Sequence, residues 1–212
     1  MTAADWGLLM VAATAAGWID AVVGGGGLIL LPAILLVAPQ LTQQAALATN
    51  KATAVFGTVA AVVTFARKVK LDWAVLIPAG ILASVASAAG AAAVSLIDRE
   101  LFIPIIMVVL VGVAVLVTCR PTIGLTAAAS PPTHRKVLIV IGCAAAGIGF
   151  YDGILGPGTG TFLIIVFATM LGTEFVRSAA MAKVINVGSN VGALVFFAVT
   201  GSVYWQLGAA MA

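Results

Sequence analysis

This chain has very little charge. Its 212 residues include 10 Lys and Arg, 7 Asp and Glu and a single His, so charged side chains make up 8% of the sequence. Globular domains carry about 25%. A water-soluble fold of this size could not cover its surface with so few charges. With 63% hydrophobic residues and a mean hydropathy of +1.22, the chain reads as an all-α membrane protein, with the lipid bilayer as its first partner. The net charge of +3 forms no basic stripe, which argues against a nucleic-acid partner. Cysteine is limited to Cys119 and Cys143, with no CxxC and no Cys/His cluster. Neither a metal site nor a disulfide is expected, and both cysteines read as packing residues. The lone His134 sits beside Arg135 and Lys136 and reads as a solvated loop residue. Met1–Asp5 lacks the basic region of a cleaved signal peptide, so insertion is expected to be directed by the first apolar segment.

Glycine is plentiful, with 23 residues, and much of it lies inside long apolar segments. Those segments run over residues 6–38, 41–66, 73–96, 101–119, 137–170 and 176–199, with a stub from 205. A membrane span needs about 20 apolar residues. Segments 6–38 and 137–170 are longer than thirty residues, and glycine interrupts each midway, at Gly24–Gly27 and at Gly156-Pro157-Gly158-Thr159-Gly160. Each glycine costs a helix about 1 kcal/mol relative to alanine, and proline also removes an amide donor. Two half-helices around an unwound stretch, non-helical over 24–27 and 156–160, are therefore expected in each segment. Irregular backbone at membrane depth survives only against protein or a wet cavity.

One constellation occurs twice. Gly17, Asp20, Gly24, Gly26, Lys51 and Trp73 return as Gly149, Asp152, Gly156, Gly158, Lys183 and Trp205, and 149 − 17, 152 − 20, 183 − 51 and 205 − 73 all equal 132. Val55/Val187, Phe65/Phe197 and Ala66/Ala198 keep the same offset. The chain thus reads as an internal duplication: a first repeat over 1–120 (a broken helix pair plus three spans), a cytoplasmic linker over 121–136, and an incomplete second repeat over 137–212 (a broken pair, one span and a stub). Positions matching 81–119 would be 213–251, so the sequence-based expectation is either a fragment or a hairpin supplied by a partner, whether a homo-oligomer or a full-length relative.

Loop charges set orientation. Arg67, Lys68 and Lys70, and Arg120, Arg135 and Lys136, place loops 67–72 and 120–136 in the cytoplasm, and the net-negative Asp98-Arg99-Glu100 outside. Loop 199–204, the counterpart of 67–72, has no charge, which favours inverted repeats with re-entrant half-helices. A single tilted span for each long segment would instead give parallel repeats.

The candidate site follows from cost. A charge facing lipid costs at least ~2.5 kcal/mol, so Lys51 and Lys183, well inside apolar segments, should face a cavity or a carboxylate. They are candidates to hold an anion, with pairing to Asp20 or Asp152 as the alternative. Asp20 and Asp152 serve coupling or charge-pairing, or satisfy loose backbone amides, the last favoured for Asp152. Gly25, Gly26, Gly158 and Thr159 offer amides at half-helix starts, where the dipole favours negative charge; close helix packing is the competing role of these glycines. Asn50 lies beside Lys51, and Lys183, Asn186 and Asn190 share one helical face, as ligand contacts or as interhelical glue. Trp73 and Trp205 read as interfacial residues, and Glu174 with Arg177 as a solvated interface pair. No phosphate-loop lysine follows either glycine run, and no catalytic residue, metal or cofactor is expected.

The stretches AGWIDAVVGGGGLILLPAIL (16–35), ALATNKATAVFGTVAAVVTFARKVKLDW (46–73), GFYDGILGPGTGTF (149–162) and AAMAKVINVGSNVGALVFFAVTGSVYW (179–205) resemble the sulfite exporter TauE/SafE family and cover nearly the whole chain. Tyr151-Asp152 and Gly156–Gly160 look most like a bacterial branch of permeases in that family. The resemblance implies a multi-pass inner-membrane permease for sulfite, a sulfonate or a related sulfur or organic anion, not an enzyme. With no nucleotide-binding motif in the sequence, the energy is expected from an ion gradient, a partner or the substrate's own gradient. Family members usually continue for another hairpin. Two other classes stand beside this reading. An intramembrane aspartyl-type hydrolase would use the two aspartates, although Trp18-Ile19 precede Asp20 in place of the Gly-x-Gly such enzymes need. A truncated paralogue that does not transport would pack on a full-length permease.

Overall fold

The computed structural model describes residues 2–119 and 132–212, and among them every regular element is helical. In chain order these are α1 (Ala3–Val23), α2 (Gly27–Val37), α3 (Gln43–Ala66), α4 (Trp73–Ala93, continued by a 3-10 turn to Leu96), α5 (Arg99–Cys119), α6 (His134–Ile154), α7 (Thr159–Met170), α8 (Phe175–Val199) and the short α9 (Trp205–Ala210). Four are long and apolar enough to cross a membrane: Gln43–Ala66, Trp73–Leu96, His134–Ile154 and Phe175–Val199. Most of the expected linker, with Arg120, lies outside the described residues.

Both over-long segments are broken, and both breaks are shorter than expected. The first covers Gly24–Gly26 and the second Leu155–Gly158; Gly27, Thr159 and Gly160 already belong to α2 and α7. A helix needs only its first residues free of intrahelical amide bonds, so Gly27 and Gly160 can start a new helix once their neighbours have turned the chain. Gly24, Gly156 and Gly158 make those turns, at φ of +77°, +88° and +82°. In that left-handed region a Cβ clashes with the backbone.

Small residues set how the long helices meet. A Cβ on Gly188 would strike the carbonyl oxygen of Gly80, and one on Gly192 that of Ser84. On the adjoining face of α4, a Cβ on Gly153 would strike the Ser87 carbonyl, and one on Gly149 would meet Ala83 at 3.0 Å. Both registers rise together, so α4, α6 and α8 run parallel with backbones in contact, the small-residue packing of membrane helices. Since α6 and α8 are parallel and joined through α7, α7 carries the chain back toward the end where α6 began. Leu71, Val75, Leu76, Ile141, Leu171, Phe175 and Met181 gather into one apolar cluster there. At the other end α9 lies on α3, where the Thr53 hydroxyl donates to the Gly208 carbonyl at 3.3 Å. A second apolar cluster, centred on Leu9, Leu31, Ile34, Leu47, Phe102 and Phe197, binds α1, α2 and α3 to α5 and the end of α8.

Two expectations are corrected. Cys143 is exposed on α6, because that face of the helix is turned away from α4 and α7; it is not a packing residue. His134 belongs to the first turn of α6, not to a loop, because Thr133 caps that helix by accepting from the Lys136 amide.

Gly188→Ala should therefore lower the thermal midpoint in detergent by the equivalent of about 1–3 kcal/mol, the usual cost of overpacking. Gly112→Ala on α5, where a Cβ meets nothing within 4 Å, should be neutral or stabilising. Equal midpoints for the two variants would contradict the close packing of α4 on α8.

Candidate functional site

Lys51 and Lys183 each lie eight residues into their helix, counted from Gln43 in α3 (51 − 43 = 8) and from Phe175 in α8 (183 − 175 = 8). At 1.5 Å per residue that is a depth of about 12 Å, approached from opposite ends because α3 leads into α4 through loop 67–72 and α4 is parallel to α8. Both lysines are 1% exposed. A buried ammonium survives only with a partner, and each finds its partner in the other half of the chain. Lys51 Nζ lies 2.7 Å from Asp152 Oδ1, and Lys183 Nζ lies 2.6 Å from Asp20 Oδ2. Among the described residues these are the ion pairs within 4 Å, and none joins Glu174 to Arg177.

The breaks hold the carboxylates in place. Asp20 lies in the last turn of α1, and its Oδ1 accepts from the Gly26 amide at 3.3 Å, while the Asp20 carbonyl also accepts from Lys183 Nζ. Asp152 lies near the end of α6, where its Oδ1 accepts from the Thr159 hydroxyl at 2.6 Å. The backbone-satisfying role favoured for Asp152 thus falls to Asp20. Thr159 can approach Asp152 with its hydroxyl, and no such side chain exists at the equivalent Gly27. The Tyr151 hydroxyl closes the second break by donating to the Pro157 carbonyl.

The two breaks touch. A Cβ on Gly24 would meet the Gly160 carbonyl carbon at 2.8 Å, and one on Gly27 would meet Pro157 Cα and Asn50 Nδ2, both at 3.6 Å. Gly156 lies against Lys51, with Nζ 3.2 Å from where its Cβ would be. Lys51 also donates to Asn190 Oδ1 at 3.1 Å, and Asn190 Nδ2 donates to Asn186 Oδ1 at 3.3 Å. Two buried acceptors, Asn50 Oδ1 and Asp152 Oδ2, have no hydrogen-bond partner. A cavity of about 20 Å³ lies among Asp20, Asn50, Lys51, Asp152, Thr159 and Asn190, room for little more than one water. Next to it a wider cavity of about 90 Å³ is lined by Asp20, Gly26, Gly27, Asn50 and Thr53.

Of the residues singled out from the sequence, Asp20, Asn50, Lys51, Asp152, Gly158, Thr159, Asn186 and Asn190 surround the small cavity, Gly26 the wider one, and Gly25 and Lys183 neither; Lys183 meets the site only through Asp20. Gly25 instead packs in the first break, where a Cβ would meet Leu28 Cδ1 at 2.9 Å. Sequence reasoning missed Val113 of α5, whose side chain covers Gly158 at 2.9 Å from a would-be Cβ. An apolar residue among apolar residues carries no signal of such a contact. It also missed Thr58, in the small cavity; the offset could have found it, since 58 + 132 is Asn190.

Helices of membrane-crossing length around a buried, charge-paired polar centre mark a helical membrane protein, and comparison with known proteins narrows the class to membrane transporters. The sulfite exporter TauE/SafE family matches residues 9–212, and the chain belongs to that family. A probable membrane transporter protein of Sinorhizobium is 32% identical over 205 residues, covering 96% of this chain and 76% of that protein. The probable membrane transporter protein YfcA of Escherichia coli is 33% identical over 213 residues, covering 97% and 74%. A probable membrane transporter protein of Haemophilus influenzae is 31% identical over 201 residues, covering 92% and 75%. No solved structure matches the chain.

The pairs differ in burial. Asp152 is 1% exposed and Asp20 18%. Removing one partner of a buried pair costs about 3–5 kcal/mol, because the other charge is left behind. Lys51→Met should therefore lower thermal stability in detergent more than Lys183→Met, whose orphaned Asp20 keeps the Gly26 amide and some solvent. Adding Asp152→Asn to Lys51→Met should recover part of the loss. Additive losses in that double variant would mean that the two side chains are not coupled.

Proposed function

We propose that the chain is a secondary permease of two inverted repeats that moves a small anion, such as sulfite, a sulfonate or a related sulfur or organic anion, across the bacterial inner membrane. The observation that carries this reading is the crossed pairing, in which the lysine of each half binds the aspartate of the other where the two breaks touch. Such a centre is neutral when empty. An anion entering by the wider cavity competes with Asp20 and Asp152 for the two ammonium groups, and Asn50, Asn190 and the amides near Gly26 and Gly158 complete its hydrogen bonds. The small cavity is too tight for an oxyanion while both pairs are closed, so binding must part at least one of them. Parting a pair loosens a contact between the halves, which is what an alternating-access cycle requires of its substrate. Without a nucleotide-binding motif, the energy comes from an ion or substrate gradient. The pairing also favours transport over aspartyl hydrolysis, because each carboxylate faces a lysine in place of the second carboxylate.

Several features support inversion. The first helices of the two broken pairs end one and two residues before the equivalent glycine turns at Gly24 and Gly156, and α2, α4, α7 and α9 begin at 27, 73, 159 and 205, so that 159 − 27 and 205 − 73 both give 132. Loop 67–72 lies at the end where α8 starts, and 200–204 at the other. The basic residues of loop 67–72 assign the first end to the cytoplasm.

Flux into proteoliposomes tests the site. Lys51→Met or Lys183→Met should abolish sulfite or sulfonate uptake, or weaken affinity at least tenfold, ~1.4 kcal/mol. Unchanged flux in both single variants and the double would leave the lysines as structural partners of the carboxylates. With Cys119 and Cys143 replaced by Ala, a cysteine at Ser202 should label from the periplasm and one at Lys68 only after permeabilisation; the opposite pattern would refute the orientation.

A further inference from the structure

A third cavity, of about 240 Å³, opens between the starts of α4, α6 and α8, away from the paired site. Its lining changes character with depth. Lys70, His134 and Arg177 stand at the rim and are exposed, while Leu76, Ile141 and Met181 beneath them are buried. Asp72 is the acidic side chain in the lining, set against three basic ones, and Arg135 and Lys136 follow His134 on α6. Three parallel helices point their amino-terminal ends here, so their dipoles add to the positive field. Neither Asp72 nor Glu174, the residues before α4 and α8, caps its helix with a side-chain bond, which leaves the first amides of both helices to other acceptors. Thr133 does cap α6.

We propose that this cavity binds the headgroup of an anionic phospholipid in the leaflet facing loop 67–72. The phosphate sits among Lys70, His134 and Arg177 and takes the uncapped amides of α4 or α8. The glycerol and first methylenes lie on Leu76, Ile141 and Met181. Free phosphate shares the charge chemistry and could reach the same rim, but it leaves the apolar floor uncovered. The floor is what commits the site to a lipid. None of these residues touches the paired centre, so the proposal stands or falls independently of the transported anion.

The test is thermal unfolding of the purified protein in a neutral detergent with added phosphatidylglycerol, phosphatidylcholine or inorganic phosphate. Phosphatidylglycerol should raise the midpoint of the wild type, with phosphatidylcholine and phosphate giving much smaller shifts. In the triple variant Lys70→Gln/His134→Gln/Arg177→Gln, the phosphatidylglycerol needed for half the effect should rise at least tenfold. Arg177→Gln alone should give an intermediate rise, and it keeps the test available if the triple variant folds poorly. An unchanged response in these variants would overturn the assignment. So would an equal effect of phosphatidylcholine, which would indicate unspecific lipid wetting, or of inorganic phosphate, which would make the rim a free-anion site.

Discussion

Four charges inside a largely apolar bundle have to find one another, and most of the architecture follows from how they do. A lone ammonium or carboxylate at this depth is not sustainable, and a pair within one helix hairpin would leave the two halves free of each other. Here Lys51 reaches Asp152 and Lys183 reaches Asp20, so the requirement of neutrality becomes a requirement that the halves dock. The carboxylates can be reached because the helices that carry them stop. α1 ends three residues beyond Asp20 and α6 two beyond Asp152, and the turns that follow need glycine at positive φ.

Glycine has a second, separate role on α4, α6 and α8. There it lets backbones touch, so that α4 lies parallel to both neighbours. That parallel arrangement obliges α7 to return and brings its amino-terminal break to meet the first one, with Gly24 against Gly160. The same residue type thus serves conformation at the breaks and volume in the long helices. A single alanine substitution would be felt differently at each, as strain at Gly156 and as separation of helices at Gly188.

Much of this was legible in the sequence. The helical membrane class followed from the shortage of charge, and the breaks from glycine runs inside segments too long for one span. The offset of 132 marked Lys51, Lys183, Asp20 and Asp152 as one group, because a repeated charge in an apolar segment is expensive to keep. What could not be read was the crossing of the pairs, which depends on how two breaks pack in space. The extent of each break was overestimated because the helical state of Gly27 and Gly160 depends on tertiary packing, not on propensity. Val113 gave no sign of its contact with Gly158, and the basic cavity between α4, α6 and α8 draws Lys70, His134 and Arg177 from three separate places in the chain.

The central claim is that the crossed pairs are where an anion binds, and that it binds by displacing a carboxylate from a lysine. A crystal structure of the protein with selenite, the selenium analogue of sulfite, tests this most directly, since the anomalous signal of selenium locates the anion without prior assumption. The account predicts a peak within hydrogen-bonding reach of Lys51 or Lys183, between the two breaks, with the corresponding Asp152 or Asp20 pair opened. A peak elsewhere, with both pairs closed as they are here, would contradict it.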